Sequence, residues 1–144
     1  MMNKLKGLIA TVMLMSSSTF AQTIQLNQVY SLDFKAAQTL VDAAMTACQK
    51  IQHNIAVVVV DQGGNTLLAS RNENVGPHNL GAAEKKAFTA LSTKTTTLLL
   101  SQNAHENKDT KNLTTLSNLL LLGGGFPVRY ENKVVGAIGV AGAG

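Results

Sequence analysis

The sequence of 144 residues predicts an α+β protein in which helices cover a mainly antiparallel, five-stranded sheet. Apolar residues recur at helical spacing in two segments, 37–51 and 83–91. The run Ile-Ala-Val-Val-Val-Val at residues 55–60 has no polar break, which is typical of a strand that is buried on both faces. Short turns rich in Gly, Asp and Asn separate the strands, so we expect hairpin connections.

The first 21 residues predict a secretory signal peptide. Lys4 and Lys6 precede an apolar run at residues 8–15, and the segment ends in Thr-Phe-Ala. Cleavage after Ala21 leaves residues 22–144, which is enough for a single domain. Because no cysteine lies at the cleavage site, we expect an exported protein, periplasmic or secreted, without a lipid anchor.

Composition excludes several classes of function. The net charge of +4 falls further when Lys4 and Lys6 leave with the signal peptide, so a nucleic-acid partner is not predicted. Residues 22–144 contain no apolar run of about 20 residues, the length that a membrane span needs. The single cysteine, Cys48, lies on the apolar face of the first helix and is predicted to be a small buried side chain.

The first half of the chain predicts a helix followed by a hairpin. Ser31 is the predicted N-cap of the helix. The strand at residues 55–60 comes next, and a Gly-Gly turn leads into a second strand, Thr66–Arg71. The apolar stripe of the helix consists of Ala37, Leu40, Val41, Ala44, Met45, Cys48 and Ile51.

The second half predicts one more helix and three short strands. Asn79 is the predicted N-cap of a helix over residues 80–91, which ends or changes direction at the threonines of residues 93–97. Residues 101–112 are polar and predict a mobile loop. The remaining strands are predicted at residues 119–122, 126–130 and 133–140.

Five segments occur in an order that resembles one known family. They are the first helix, Val-Val-Val-Val-Asp61-Gln-Gly-Gly64, Ala83-Glu-Lys-Lys86-Ala-Phe-Thr89-Ala, Gly123-Gly-Gly-Phe-Pro127 and Val135-Gly-Ala-Ile-Gly139-Val-Ala-Gly142. Together they resemble the GlcG/HbpS-like family of haem-binding or haem-degrading domains, which also forms the C-terminal domain of PduO-type cobalamin adenosyltransferases. The resemblance covers residues 31–144.

The resemblance implies a profilin-like α/β/α sandwich, assembly into a homo-oligomer and, for some members, haem as the cofactor. Members usually continue from the last Gly-rich strand into a C-terminal helix, whereas this sequence stops at Gly144. We therefore expect that helix to be missing and part of one sheet face to be exposed, which favours association.

The resemblance also implies cofactor contacts on the second helix. Lys86 and Thr89 match the Lys and Thr of the family segment, and a spacing of three places them on one helix face. Lys86 would pair with a haem propionate or another ligand carboxylate, and Thr89 would meet the iron or a bound water. The alternative is that Lys86 forms a solvated or interfacial salt bridge and that Thr89 fills the edge of the core.

Histidines are the other candidate iron ligands, since haem iron accepts imidazole. None of His53, His78 and His105 has a spacing that selects a metal. His78 is preferred because it adjoins the family's most characteristic segment, so the predicted iron ligand is Thr89 or His78. A Cys-x-x-Cys-His motif is absent, which excludes covalent haem attachment.

The glycine-rich turn at residues 123–125 predicts a binding wall, not a nucleotide loop. It lacks the Lys-Ser/Thr of a phosphate-binding loop, and residues 136–144 lack the dinucleotide spacing. Phe126 and Pro127 beside these glycines would form a flat apolar wall for a planar ligand. Asp61 at the end of the buried strand is interpreted as a turn-capping residue.

The predicted function is an exported haem- or tetrapyrrole-binding module, with Lys86, Thr89, His78 and Phe126 as the cofactor-binding residues. One alternative is a small-molecule enzyme that degrades haem with peroxide or acts on a small hydroxy acid. Another is a non-catalytic subunit of an oligomeric assembly. No nucleophile elbow or metal-ligand cluster is present in the sequence, so the catalytic residues of an enzyme stay unassigned.

Overall fold

A computed structural model describes residues 24–143. The predicted signal peptide, residues 1–21, lies outside these residues. The elements in chain order are α1 (Phe34–Lys50), β1 (Ala56–Asp61), β2 (Thr66–Arg71), α2 (His78–Thr93), α3 (Thr97–Glu106), α4 (Lys108–Asn112), a 3-10 turn (Leu113–Thr115), β3 (Gly125–Tyr130) and β4 (Lys133–Ala141).

The described strands form one antiparallel sheet in the order β2-β1-β4-β3. The α+β class and the antiparallel pairing are therefore confirmed. The sheet has four strands, so the prediction of a fifth strand at residues 119–122 is wrong. Backbone groups of this segment pair with threonine side chains instead of a strand: Leu120 N donates to Thr89 Oγ1 and Leu122 O accepts from Thr97 Oγ1.

Strand β1 lies at the centre of a helix–sheet–helix stack, as its unbroken apolar run predicts. Val57 and Val59 pack in one cluster with α1, and Val58 and Val60 pack in a second cluster with α2. All four side chains are buried. Because burial of one valine contributes about 1.5–3 kcal/mol, this strand is a major source of stability.

Helix α2 lies close against β4 and β3 because glycines face it. A Cβ atom on Gly139 would collide with the carbonyl oxygen of Ala83, and one on Gly125 would collide with the carbonyl oxygen of Lys86. Both obstacles are backbone atoms, which cannot move without shifting the helix. The small residues of these two strands therefore set the distance between the helix and the sheet.

Helix α1 covers only part of the opposite sheet face. It packs on β1 and β2, while Phe126 of β3, which pairs with Ile138 on that same face, keeps 50% of its surface exposed. No helix follows β4 within the part of the chain that the structure describes. The profilin-like label stays a prediction.

Helix boundaries differ from the predictions in physically clear ways. Asp33 instead of Ser31 caps α1, since its Oδ1 accepts a hydrogen bond from Ala36 N at 2.8 Å. Helix α2 begins at His78, one residue before the predicted cap Asn79, because Pro77 already has helical dihedral angles. The expected break at the threonines is confirmed, since α2 ends at Thr93 and Lys94 is left-handed, with φ 57°.

The prediction of a mobile loop at residues 101–112 is wrong. Helix α3 spans Thr97–Glu106, and α4 spans Lys108–Asn112. The Thr96 hydroxyl accepts a hydrogen bond from Leu99 N and begins α3, and the Asn107 side chain caps α4 in the same manner. Local capping therefore outweighs the weak helix propensity of this stretch.

Candidate functional site

A cleft of about 900 Å³ opens at the end of the sheet where β1 begins and β4 ends. The loop after α1, the first turn of α2 and the glycine-rich turn before β3 surround it. Its polar side chains include His53, Asn54, Asn74, His78 and Asn79, and its apolar side chains include Leu122, Phe126 and Val140. The volume lies in the usual range for small-molecule sites, about 300–1,000 Å³.

Lys86 lines this cleft and is 6% exposed. Its ammonium donates one hydrogen bond, to the Val140 carbonyl oxygen at 3.1 Å. Burial lowers the pKa of Lys86 below its ordinary value, because a charged group loses hydration there. No carboxylate lines the cleft among the described residues, so none of their side chains there neutralises the buried charge. An anionic ligand group would supply that neutralisation.

Glycine residues keep the surroundings of Lys86 open. Gly124 has φ +121°, a conformation that side chains rarely adopt, and a Cβ there would lie 3.2 Å from Lys86 Nζ. Gly142, with φ +96°, packs against Val75 on another side of the cleft. The cleft therefore has this shape because glycines at positions 124 and 142 can adopt positive φ angles.

Two of the three histidines lie at the cleft. His78 lies in the first turn of α2, and His53 lies between the end of α1 and the start of β1. The chain reaches His53 through Gln52, which has a left-handed φ of 61°. Both imidazoles are exposed and available to a ligand, whereas His105 on α3 does not line the cleft.

Phe126 and Leu122 supply exposed apolar surface beside the glycine-rich turn. They are 50% and 56% exposed, and both line the cleft. Of the two residues predicted to form an apolar wall next to residues 123–125, Phe126 lines the cleft and Pro127 does not. The structure thus brings His78, Lys86 and Phe126 to one cleft.

Thr89 does not line that cleft. Its side chain is fully buried, and its hydroxyl donates to Lys85 O at 2.7 Å and accepts from Leu120 N at 2.8 Å. The bond to Lys85 O lies within α2, and the bond from Leu120 N holds the chain segment that precedes β3. Of the two iron ligands that the sequence predicts, the geometry favours His78.

The sequence interpretation gave little weight to His53 and placed Cys48 in the core. The structure places both at the cleft, with Cys48 only partly buried. No local sequence signal marks them, because only the antiparallel pairing of Ala56 with Ala141 brings the start of β1 to the Gly-rich end of β4. Asn54 reaches the cleft for the same reason, and Asn74 reaches it because the pairing of Ala56 with Arg71 brings the loop after β2 to the same end of the sheet.

Asp61 lies at the other end of β1 and caps the turn, as the sequence predicts. Burial raises the pKa of its carboxyl group, but hydrogen bonds from Asn65, Gly63 and Gly64 outweigh this and lower it. Asp61 Oδ1 accepts from Asn65 N at 2.8 Å. Its role is to hold the β1–β2 hairpin.

Residues 24–143 contain neither a metal centre of their own nor a membrane-spanning helix. No group of three His, Cys, Asp or Glu side chains there could hold a metal ion by itself. None of the helices there is long and apolar enough to cross a membrane.

The fold and the cleft together define a small helix–sheet–helix domain with a single-lysine, two-histidine cleft at one end of its sheet. Comparison with known proteins identifies its family. The family model described as haem degrading protein HbpS-like matches residues 32–144, and the chain belongs to this family.

Relatives support this membership. GlcG of Escherichia coli K12 is 27% identical over 110 residues, which are 76% of this chain and 81% of GlcG. A crystal structure of HbpS has a TM-score of 0.78 and 36% identity, over 85% of each chain. A crystal structure of a PduOC:haem complex has a TM-score of 0.72 and 25% identity, over 81% of this chain and 85% of that chain.

Proposed function

We propose that this chain is a haem-binding protein that takes the porphyrin into the cleft beside α2. The observation that carries the proposal is the buried Lys86 ammonium, which has one backbone hydrogen bond and no carboxylate partner among the residues that line the cleft. Haem carries two propionates, and one of them would neutralise this charge. The haem complex of the structural relative PduOC supports the same ligand.

The residues that line the cleft fit a haem group. Lys86 would hold a propionate, Phe126 and Leu122 would contact the macrocycle, and His78 or His53 would ligate the iron through a neutral imidazole. When bound, haem would supply redox chemistry at its iron. The chain itself contributes charge neutralisation and apolar contact.

Titration of the purified protein with haemin tests the proposal. We expect a saturable shift of the Soret band at one haemin per chain, because the described part of the chain has one cleft of sufficient volume that contains both a cation and imidazoles. Bovine serum albumin and buffer serve as references for nonspecific uptake. A linear, unsaturated absorbance change would contradict the proposal.

The iron ligand is tested with the single variants His78→Ala and His53→Ala and with one control variant. We expect His78→Ala to move the Soret maximum of the complex and to weaken haemin affinity about tenfold, since it removes an iron ligand. His105→Ala is the matched control, because this histidine lies outside the cleft, and its spectrum should equal that of the unmodified protein. If His53→Ala changes the spectrum and His78→Ala does not, the ligand is His53.

Peroxide-dependent haem degradation is a second candidate, favoured by the description of the matched family as haem degrading. Addition of peroxide to the complex distinguishes the two functions. A degrading enzyme would bleach the Soret band repeatedly with fresh haemin. A binding protein would keep the band or lose it once, at the rate of free haemin.

Export and assembly complete the proposal. We infer that residues 1–21 direct the chain out of the cytoplasm and are removed. We also infer that the partly open sheet face near Phe126 and Ile138 is covered in a homo-oligomer. The molar mass from light scattering, with and without haemin, measures the assembly. A single chain per particle in both states would exclude the homo-oligomer.

A further inference from the structure

A continuous set of hydrogen bonds connects the core to the buried lysine of the cleft. Lys86 Nζ donates to Val140 O at 3.1 Å, and Val140 N donates to Gly124 O at 2.8 Å. The nitrogen of that same peptide group, Gly125 N, donates to Thr97 Oγ1 at 2.8 Å. The Thr97 hydroxyl donates in turn to Leu122 O at 2.7 Å.

The Thr97 hydroxyl thus holds the glycine-rich turn at both of its ends. Leu122 O precedes Gly123 and Gly124, and Gly125 N follows them. Gly123 and Gly124 line the cleft and carry no side chains that could anchor them by packing. Thr97 itself is fully buried, and its hydrogen bond with Gly125 N is shielded from water.

We propose that Thr97 is a positioning residue, which fixes the Gly124–Gly125 peptide and through Val140 sets the location of the Lys86 ammonium. The inference rests on the proposed haem site and adds a residue outside the cleft to it. Thr97 touches no ligand, since it is not among the residues that line the cleft. Its action passes through the backbone of two strands.

The hydroxyl and not the size of Thr97 carries this role. Valine has the same shape but would leave Gly125 N without its partner in a buried place and would remove the donor to Leu122 O. Serine retains the hydroxyl and loses only a methyl group. A comparison of the two variants therefore separates positioning from packing.

The experiment measures haemin affinity and amide hydrogen exchange for Thr97→Val and Thr97→Ser at a temperature where all variants are folded. We expect Thr97→Val to weaken affinity about tenfold and to increase exchange at Gly125 and Val140. Thr97→Ser should keep affinity within about twofold of the unmodified protein, because both hydrogen bonds remain. Thr93→Val is the control, since the Thr93 hydroxyl bonds only to Thr89 O, away from the cleft.

The outcomes are distinguishable from a failure of the proposed function. If the unmodified protein does not bind haemin, the proposed haem site is wrong. Faster amide exchange at Gly125 in Thr97→Val would even then support the positioning network. If the unmodified protein binds and Thr97→Val binds equally well, the positioning role is wrong. If Thr97→Ser is as weak as Thr97→Val, packing explains the effect and the role of the hydroxyl is wrong.

Discussion

Replacement of Gly139 by alanine is expected to destabilise the protein by about 3 kcal/mol, because the added methyl group collides with backbone atoms of α2. The Cβ would overlap Ala83 O and approach Ala87 N to 2.7 Å. Relief requires the whole helix to move away from β4, which also opens the cluster around Val58. Urea unfolding followed by circular dichroism measures the loss.

A glycine on the face of α2 that points away from the sheet provides the matched control. Gly81 lies in α2 and is exposed, and a Cβ added to it would have no other atom within 4 Å. Gly81→Ala should therefore stabilise the protein by about 0.5–1 kcal/mol. The same chemical change is thus expected to have opposite signs at two positions. Equal effects of the two variants would contradict the close packing of α2 on the sheet.

Replacement of Lys86 by methionine is expected to lower haemin affinity about 10- to 100-fold without loss of stability. The variant removes the cation that would face the propionate and places an apolar side chain of similar length in a buried position. Removal of an unneutralised buried charge is often neutral or stabilising, so the melting temperature should stay equal or rise. Lys85→Met, on the exposed side of α2, is the control and should bind normally.

The pH dependence of affinity provides an independent check on Lys86. Burial lowers its pKa in the free protein, and a propionate partner would raise it again in the complex. Binding therefore favours the protonated lysine. Haemin affinity is highest below the pKa that Lys86 has in the free protein, and it falls as the pH rises through that pKa. His53, His78 and Cys48 remain in Lys86→Met, so the alkaline decline should disappear in that variant only if it belongs to Lys86. Persistence of the decline would assign it to another group.

Local patterns were sufficient to predict the central layers of the fold. An unbroken run of branched apolar residues predicts β1, and the helical spacing from Ala37 onward predicts α1. The segment at residues 119–122 shows the limit of this reasoning, because its consecutive leucines fit a strand as well as they fit the irregular segment that the structure shows. Its partners are Thr89 and Thr97, which lie 31 and 25 residues away and carry no local signal.

The candidate site was predictable only where the family segments contain it. Lys86, His78 and Phe126 lie in or beside these segments, and they line one cleft. Thr89 shares a helix with Lys86, but the sequence could not show that its hydroxyl is used by Lys85 O and Leu120 N. His53 was underestimated because only the antiparallel register of β1 and β4 brings it to the cleft.

Backbone amide NMR with haemin tests the central claim most directly, because paramagnetic iron broadens the signals of nearby nuclei. Haem in the cleft predicts that His78, Gly123 and Gly142 lose intensity at one haemin per chain. Asn132 should keep its intensity, since the six residues of β3 separate it from the cleft by roughly 20 Å. Broadening centred on Asn132, or spread evenly over the protein, would contradict haem binding beside Lys86.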